Sequence, residues 1–106
     1  MNIFMFKDLL ESKLSGYEVF LVKATEYQNE KNKKRAKDKR WDERKIERTV
    51  NSMWNTVARN TFDKVRTFKK CPSVNCYKPI ETWTAFMESE EVFDMLDTEL
   101  SEIEFE

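Results

Sequence analysis

The apolar positions of this chain recur every three or four residues over most of its length, which is the spacing of a helix face. A first helix is predicted from Ile3, Phe6, Leu9, Leu10 and Leu14, and Ser15-Gly16 predicts its end. The segment from Tyr17 to Tyr27 fits two structures. Its spacing favours a helix, whereas Val19-Phe20-Leu21-Val22 also suits a short buried strand.

The longest regular pattern lies between Glu43 and Phe68. Its apolar positions cover one broad face of a helix, with Phe62 at the edge: Ile46, Val50, Met53, Trp54, Val57, Ala58, Phe62, Val65 and Phe68. Residues 28–42 before it have only Ala36 and Trp41 as apolar members. They are therefore predicted to be a charged connector or a solvated helix extension.

The C-terminal third predicts a loop and two more helices. Residues 70–78 form the loop, and Pro79 suits the first turn of the helix that follows. Ser89 is the predicted N-cap of the last helix, with Glu90 and Glu91 in its first turn. The apolar positions of that helix are Val92, Phe93, Leu96, Leu100 and Ile103.

These elements predict an all-α fold, a bundle of four to five helices forming a single domain over residues 1–106. Its long central helix is amphipathic and basic, and its C-terminal helix is acidic. One glycine and two prolines are too few for the many turns of a sandwich or barrel. No apolar run is long enough to span a bilayer, so we expect a cytoplasmic protein, in the host cytoplasm if the chain is viral.

Charge is strongly sorted along the chain. Residues 31–80 hold sixteen Lys or Arg and five Asp or Glu, whereas residues 81–106 hold ten acids and no basic residue. The formal net charge of -1 conceals this polarity. Such polarity suggests a protein that works by binding charged partners.

The basic side chains of the central helix fall on one stripe opposite most of the apolar face, if the helix is extended back to Trp41. This stripe is predicted to bind phosphates or an acidic partner, with Trp41 stacking on an unpaired base. Its members are Trp41, Arg44, Lys45, Arg48, Arg59 and Arg66, and Lys33, Lys34, Arg35, Lys37, Lys39 and Arg40 add a basic arm. A plain solvated helix face, with Trp41 packed on a neighbour, is the alternative.

The acidic end offers a second candidate surface, for a protein partner. Its predicted contacts are Glu90, Glu91, Asp94, Asp97 and Glu102, with an apolar patch around Trp83 and Phe86. The acids could fold near the basic stripe, imitate a phosphate backbone, or serve solubility alone.

Catalytic chemistry is not indicated. The chain has no histidine, so the usual neutral-pH acid–base residue is missing, and its single glycine excludes a Walker A loop. Cys71 and Cys76 lack further ligands for structural zinc, and reduced thiols are expected. No cofactor, metal or catalytic residue is predicted.

Three non-enzymatic functions remain open. We favour a small regulator or inhibitor, of a type that phages encode, docking on a nucleic-acid-handling protein complex through charged surfaces. The first alternative is direct binding of DNA or RNA phosphates by the basic helix of residues 31–66. The second is a structural or assembly role through self-association, for example as a homodimer.

Overall fold

In a computed structural model that describes residues 1–105, the chain forms five α-helices and no strand. The helices are α1 (Ile3–Lys13), α2 (Gly16–Lys33), α3 (Glu43–Val65), α4 (Pro79–Ser89) and α5 (Val92–Ser101). The prediction of a small all-α bundle is therefore confirmed, with α3 as the long basic helix and α5 as the acidic one. The region from Tyr17 to Tyr27 is helical, so the strand alternative was wrong.

The core is built around aromatic rings contributed by four helices. Phe6 of α1 packs on Phe62 of α3, with ring centroids 4.9 Å apart, and both contact Trp83 of α4. About two turns earlier in α3, the Trp54 ring packs on Phe20 of α2, with ring centroids 5.3 Å apart. Phe62, which the sequence placed at the edge of the apolar face, is buried because α1 and α4 both cover it.

The α3 helix begins at Glu43 because Asp42 caps it. The Asp42 carboxylate accepts a hydrogen bond from the backbone N–H of Lys45 at 2.9 Å, which satisfies a donor that the first helical turn leaves free. Trp41 therefore lies outside the helix. Its predicted position on the helical stripe was wrong, because the helical phase does not extend past the cap.

The charged segment 28–42 divides into two parts. The α2 helix continues to Lys33, so the first six residues are a helix extension, and the others form a connector with a short 3₁₀ turn at Lys37–Lys39. The α2–α3 hairpin and its connector help to give the molecule its elongated shape, 52 × 24 × 20 Å. Nearly all side chains from Glu30 to Arg40 are exposed.

The chain breaks between α1 and α2 next to the predicted stop at Ser15-Gly16, but Gly16 does not form the stop as a left-handed residue. The α1 helix ends at Lys13, and Gly16 is the first residue of α2 without a positive φ. Its role is close packing, since a Cβ placed there would lie 2.8 Å from the Leu100 Cβ of α5. The glycine thus lets α2 and α5 approach each other.

Ser89 is not the N-cap of α5. It is the last residue of α4, and its hydroxyl donates to the carbonyl of Phe86 at 3.1 Å. The α5 helix begins two residues later than predicted, after Glu91, which adopts a left-handed conformation with φ 55°. Glu90 and Glu91 therefore form the link between the helices rather than the first turn of α5.

Candidate functional site

Asn32 fixes the end of the α2–α3 hairpin. Its side-chain amide donates to the carbonyl of Trp41 at 2.9 Å and accepts from the backbone N–H of Trp41 at 2.8 Å. This pair of hydrogen bonds joins the last turn of α2 to the residue before the α3 cap. The connector between them is thereby held in one arrangement, although almost all its side chains are exposed.

Two cations of the same chain pack on the Trp41 ring. The Arg35 guanidinium lies over the indole ring with its Cζ 3.8 Å from the centroid, and the Lys45 ammonium lies 4.7 Å away. Arg35 also donates to the Asn32 amide oxygen at 3.0 Å. A nucleobase would have to displace one of these cations to stack there, so Trp41 serves as a packing residue of the hairpin end.

Two further cations of the predicted arm have structural partners. Arg40 donates to the carbonyls of Lys33 and Arg35 at 3.2 and 3.3 Å, near the C-terminal end of α2, where carbonyls lack helical partners. Lys33 pairs with Glu30 at 3.0 Å. Arg40 keeps its full charge, because its partners are neutral carbonyls, whereas the charge of Lys33 is paired with a carboxylate.

One row of side chains runs along the outer face of α3. It consists of Lys45, Arg48, Ser52, Asn55 and Arg59, all of which are exposed. We call it the basic row. Its spacing of three and four residues keeps it on one side of the helix, and from Lys45 to Arg59 it spans about 21 Å. A shallow depression of about 260 Å³ lies among Lys45, Arg48, Thr49 and Ser52.

Several cations of this region have no acidic partner among residues 1–105. The predicted binding residues of this kind are Lys34, Lys37, Lys39, Arg44, Lys45, Arg48 and Arg59. Arg66 differs from them because it lies beyond the end of α3 and pairs with Asp63 at 4.0 Å. The positive charge left available is therefore concentrated on the connector, on the basic row and on Arg44 beside it.

The acids at the C-terminal end are partly used within the chain. Glu90 pairs with Lys70 at 3.3 Å, and Glu99 pairs with Lys64 at 3.1 Å. Asp97 accepts a hydrogen bond from the Gly16 backbone N–H at 2.8 Å, which is a structural contact between α5 and α2. In the part of the chain that the structure describes, Glu91, Asp94 and Glu102 are exposed and form no ion pair. Glu106 lies outside the described residues.

Trp83 and Phe86 do not form a surface patch. Both are buried, Trp83 completely, because Trp83 packs against the rings of Phe6 and Phe62 and Phe86 packs against Phe68. The indole N–H of Trp83 donates to the carbonyl of Ser73 at 3.3 Å, so its polar atom is satisfied inside the fold. Their assignment as protein-contact residues was therefore wrong.

Within residues 1–105 there is no cluster of three or more acidic or cysteine side chains placed to hold a metal ion. Both cysteines are free and half-buried, and burial raises the pKa of the Cys71 thiol. None of the described helices combines the length and apolar character needed to cross a membrane.

Sequence reasoning missed two residues of this surface. Asn32 was not singled out, because one polar residue in a charged segment carries no signal of a contact nine positions away. Phe4 was not singled out either, although it falls outside the apolar series of α1, and that mismatch was a usable signal. Phe4 lies with Lys7 and Arg59 around a depression at the far end of the basic row.

Comparisons of this chain with protein families, with curated proteins and with solved structures found no match.

Proposed function

We propose that this protein is a non-enzymatic nucleic-acid-binding protein that contacts the phosphate backbone with the hairpin connector and the basic row. The observation that carries the proposal is that the basic side chains of this surface form no ion pairs within residues 1–105, whereas acidic side chains of the C-terminal end do. Most cations of this surface are exposed, whereas several acids of the C-terminal end are engaged within the chain. A surface of exposed, unpaired cations attracts phosphates by releasing their counterions.

The form of the surface also suits a linear polyanion. The basic row is straight because it follows one helix, and it is rigid because the opposite face of α3 is buried along its length. Ser52 and Asn55 fill the interval between Arg48 and Arg59, and both can bond phosphate oxygens. Contacts of this kind hold a backbone in place and do not read base sequence.

The test is a charge reversal to Glu of Arg48 and Arg59 in the basic row and of Arg44, which lies one helical turn before Arg48 on α3. None of the three forms an ion pair within residues 1–105, so the fold is expected to persist, as circular dichroism would show. Binding to fluorescein-labelled oligonucleotides is measured by anisotropy at roughly 50 and 200 mM salt. Wild-type binding should weaken steeply between these concentrations, and the triple variant should lose most of the affinity at both.

The control reverses Lys13, Lys69 and Lys78, which are exposed and lie outside the connector and the basic row. It changes the net charge by the same amount. Lys13 and Lys78 form exposed ion pairs with Glu88 and Glu81, which contribute little to stability, and circular dichroism checks that this variant is folded as well. We expect it to keep most of its affinity and its dependence on salt. Equal losses in the two triple variants would mean that net charge alone governs binding, and absence of wild-type binding at the lower salt would refute the proposal.

A second candidate function is a regulator that docks on a nucleic-acid-handling protein through its acidic end. The exposed and unpaired Glu91, Asp94 and Glu102 favour it, since they remain available for a basic partner surface. Asp97 is left out of this surface because it holds the Gly16 backbone. The same titration separates the two functions, because a protein acting only through its acidic end binds no oligonucleotide.

A further inference from the structure

Phe4 is the one exposed large apolar side chain of the α1 helix and an unusual one to leave in water. It is 76 % exposed, and its ring contacts no other ring or cation among residues 1–105. The α1 helix does have a buried face, because Phe6, two positions later, is completely buried in the core. Phe4 projects instead from the opposite side of α1 and helps to line a cavity of about 230 Å³ between α1 and α3.

The other walls of this cavity are formed by one apolar residue, Ile3, and by three polar or basic residues. Asn55 and Arg59 contribute from the basic row, and Lys7 contributes from the next turn of α1, on the same side as Phe4. Lys7 forms an ion pair with Glu11 at 3.6 Å, whereas Arg59 has no acidic partner in the described chain. The cavity thus combines a free aromatic face, an amide that both donates and accepts, and two cations.

We infer that Phe4 is a stacking platform for an unpaired nucleobase, and that the surface therefore prefers single-stranded nucleic acid to duplex. The inference rests on the proposed function, because the basic row brings the strand to the cavity. An aromatic ring beside cations is the arrangement by which proteins hold single strands, with the base on the ring and the phosphate on the cation. A purely apolar partner would bury Lys7 and Arg59 without compensation, which disfavours it.

A bound nucleic-acid strand can follow α3 from one arginine to the next. Arg48 and Arg59 lie on the same side of α3, about 16 Å apart along its axis. A backbone that contacts both reaches the cavity at its Arg59 end, where Asn55 is part of the lining and carries an amide able to bond the edge of a base. In a duplex the bases are stacked on each other and unavailable, so Phe4 adds nothing to duplex binding. Trp41, the residue first expected to stack, is excluded by Arg35 and Lys45.

The experiment compares Phe4→Ala with wild type on three fluorescein-labelled ligands of equal length: a deoxythymidine strand, a duplex, and a strand made of abasic sites. Stacking contributes to the first ligand alone, so Phe4→Ala should weaken that complex by about 5- to 150-fold and leave the other two unchanged. Phe4→Trp should retain the affinity of wild type. A ribothymidine strand included in the same series differs from the first ligand only by the 2′-hydroxyl groups and shows whether the sugar matters.

Tyr77→Ala is the matched control, because Tyr77 is also an exposed aromatic, at 85 %, and lies in the loop before α4 away from the basic row. It should bind all three ligands as wild type does. If Phe4→Ala binds the thymidine strand normally while the Arg44, Arg48 and Arg59 reversal abolishes binding, the stacking inference is wrong and the proposed function stands. Failure of wild type to bind any ligand removes both.

Discussion

The Gly16→Ala variant tests the contact between α2 and α5, on which the position of the acidic helix depends. The new Cβ would lie 2.8 Å from the Leu100 Cβ, 3.1 Å from the Leu100 Cδ1 and 3.0 Å from the Asp97 Oδ1. Carbon atoms in contact prefer about 3.5–4.0 Å, so α5 would have to retreat by roughly 0.7 Å or more at this point. That movement also stretches the 2.8 Å hydrogen bond from the Gly16 N–H to Asp97.

Two effects of opposite sign compete in this variant. Alanine is better than glycine in a helix by about 0.5–1 kcal/mol, and the φ of Gly16 does not forbid it. Overpacking typically costs about 1–3 kcal/mol, and weakening a hydrogen bond to a carboxylate adds a similar amount at most. We therefore expect a net destabilisation of about 1–3 kcal/mol.

Urea unfolding followed by circular dichroism measures this change in the free energy of unfolding directly. In thermal unfolding, a destabilisation of about 2 kcal/mol should lower the Tm by roughly 8–16 °C. Ser15→Ala is the matched control, because Ser15 is exposed, precedes the same helix and makes no side-chain capping bond. Its unfolding free energy should stay within about 0.5 kcal/mol of wild type. A Gly16→Ala protein as stable as wild type, or more stable, would show that helix propensity outweighs the close α2–α5 contact.

Two other predictions concern the hairpin end and pH. Asn32→Ala removes both hydrogen bonds to the Trp41 backbone, so the free energy of unfolding should fall by about 1–3 kcal/mol. Asn29→Ala, exposed on the same helix, should have little effect, and equal urea curves for the two variants would contradict this reasoning. Burial, followed by the charges of Glu11 and Glu18, raises the pKa of the Tyr17 phenol. The difference between the folded and unfolded pKa stabilises the folded protein below about pH 10, and this stabilisation is lost as the pH rises further. Tyr17→Phe should therefore lose less stability than wild type between about pH 9 and 11, whereas Tyr77→Phe should follow wild type; parallel losses in all three proteins would refute this assignment.

The helices themselves were readable from the sequence because burial on one face imposes a local period. The apolar residues of α3 recur at steps of three and four, and the structure buries six of them: Ile46, Val50, Trp54, Ala58, Phe62 and Val65. The sorted charge was equally visible, as was the concentration of cations in the middle of the chain. Element ends were less predictable, because a cap depends on one or two residues, as the wrong choice of Ser89 and the cap at Asp42 show.

The roles of individual site residues required the tertiary structure. Trp83 and Trp41 look alike in sequence, yet one lies at the centre of the core and the other is held between cations at the hairpin end. The function of Gly16 depends on Asp97 and Leu100, more than 80 positions away, and no local pattern contains that contact. The sequence by itself determined that the chain is helical and charge-polarised. Only packing between distant helices decided which cations stay unpaired and which aromatic ring, Phe4, faces solvent beside them, because those outcomes depend on which side chains meet across the fold.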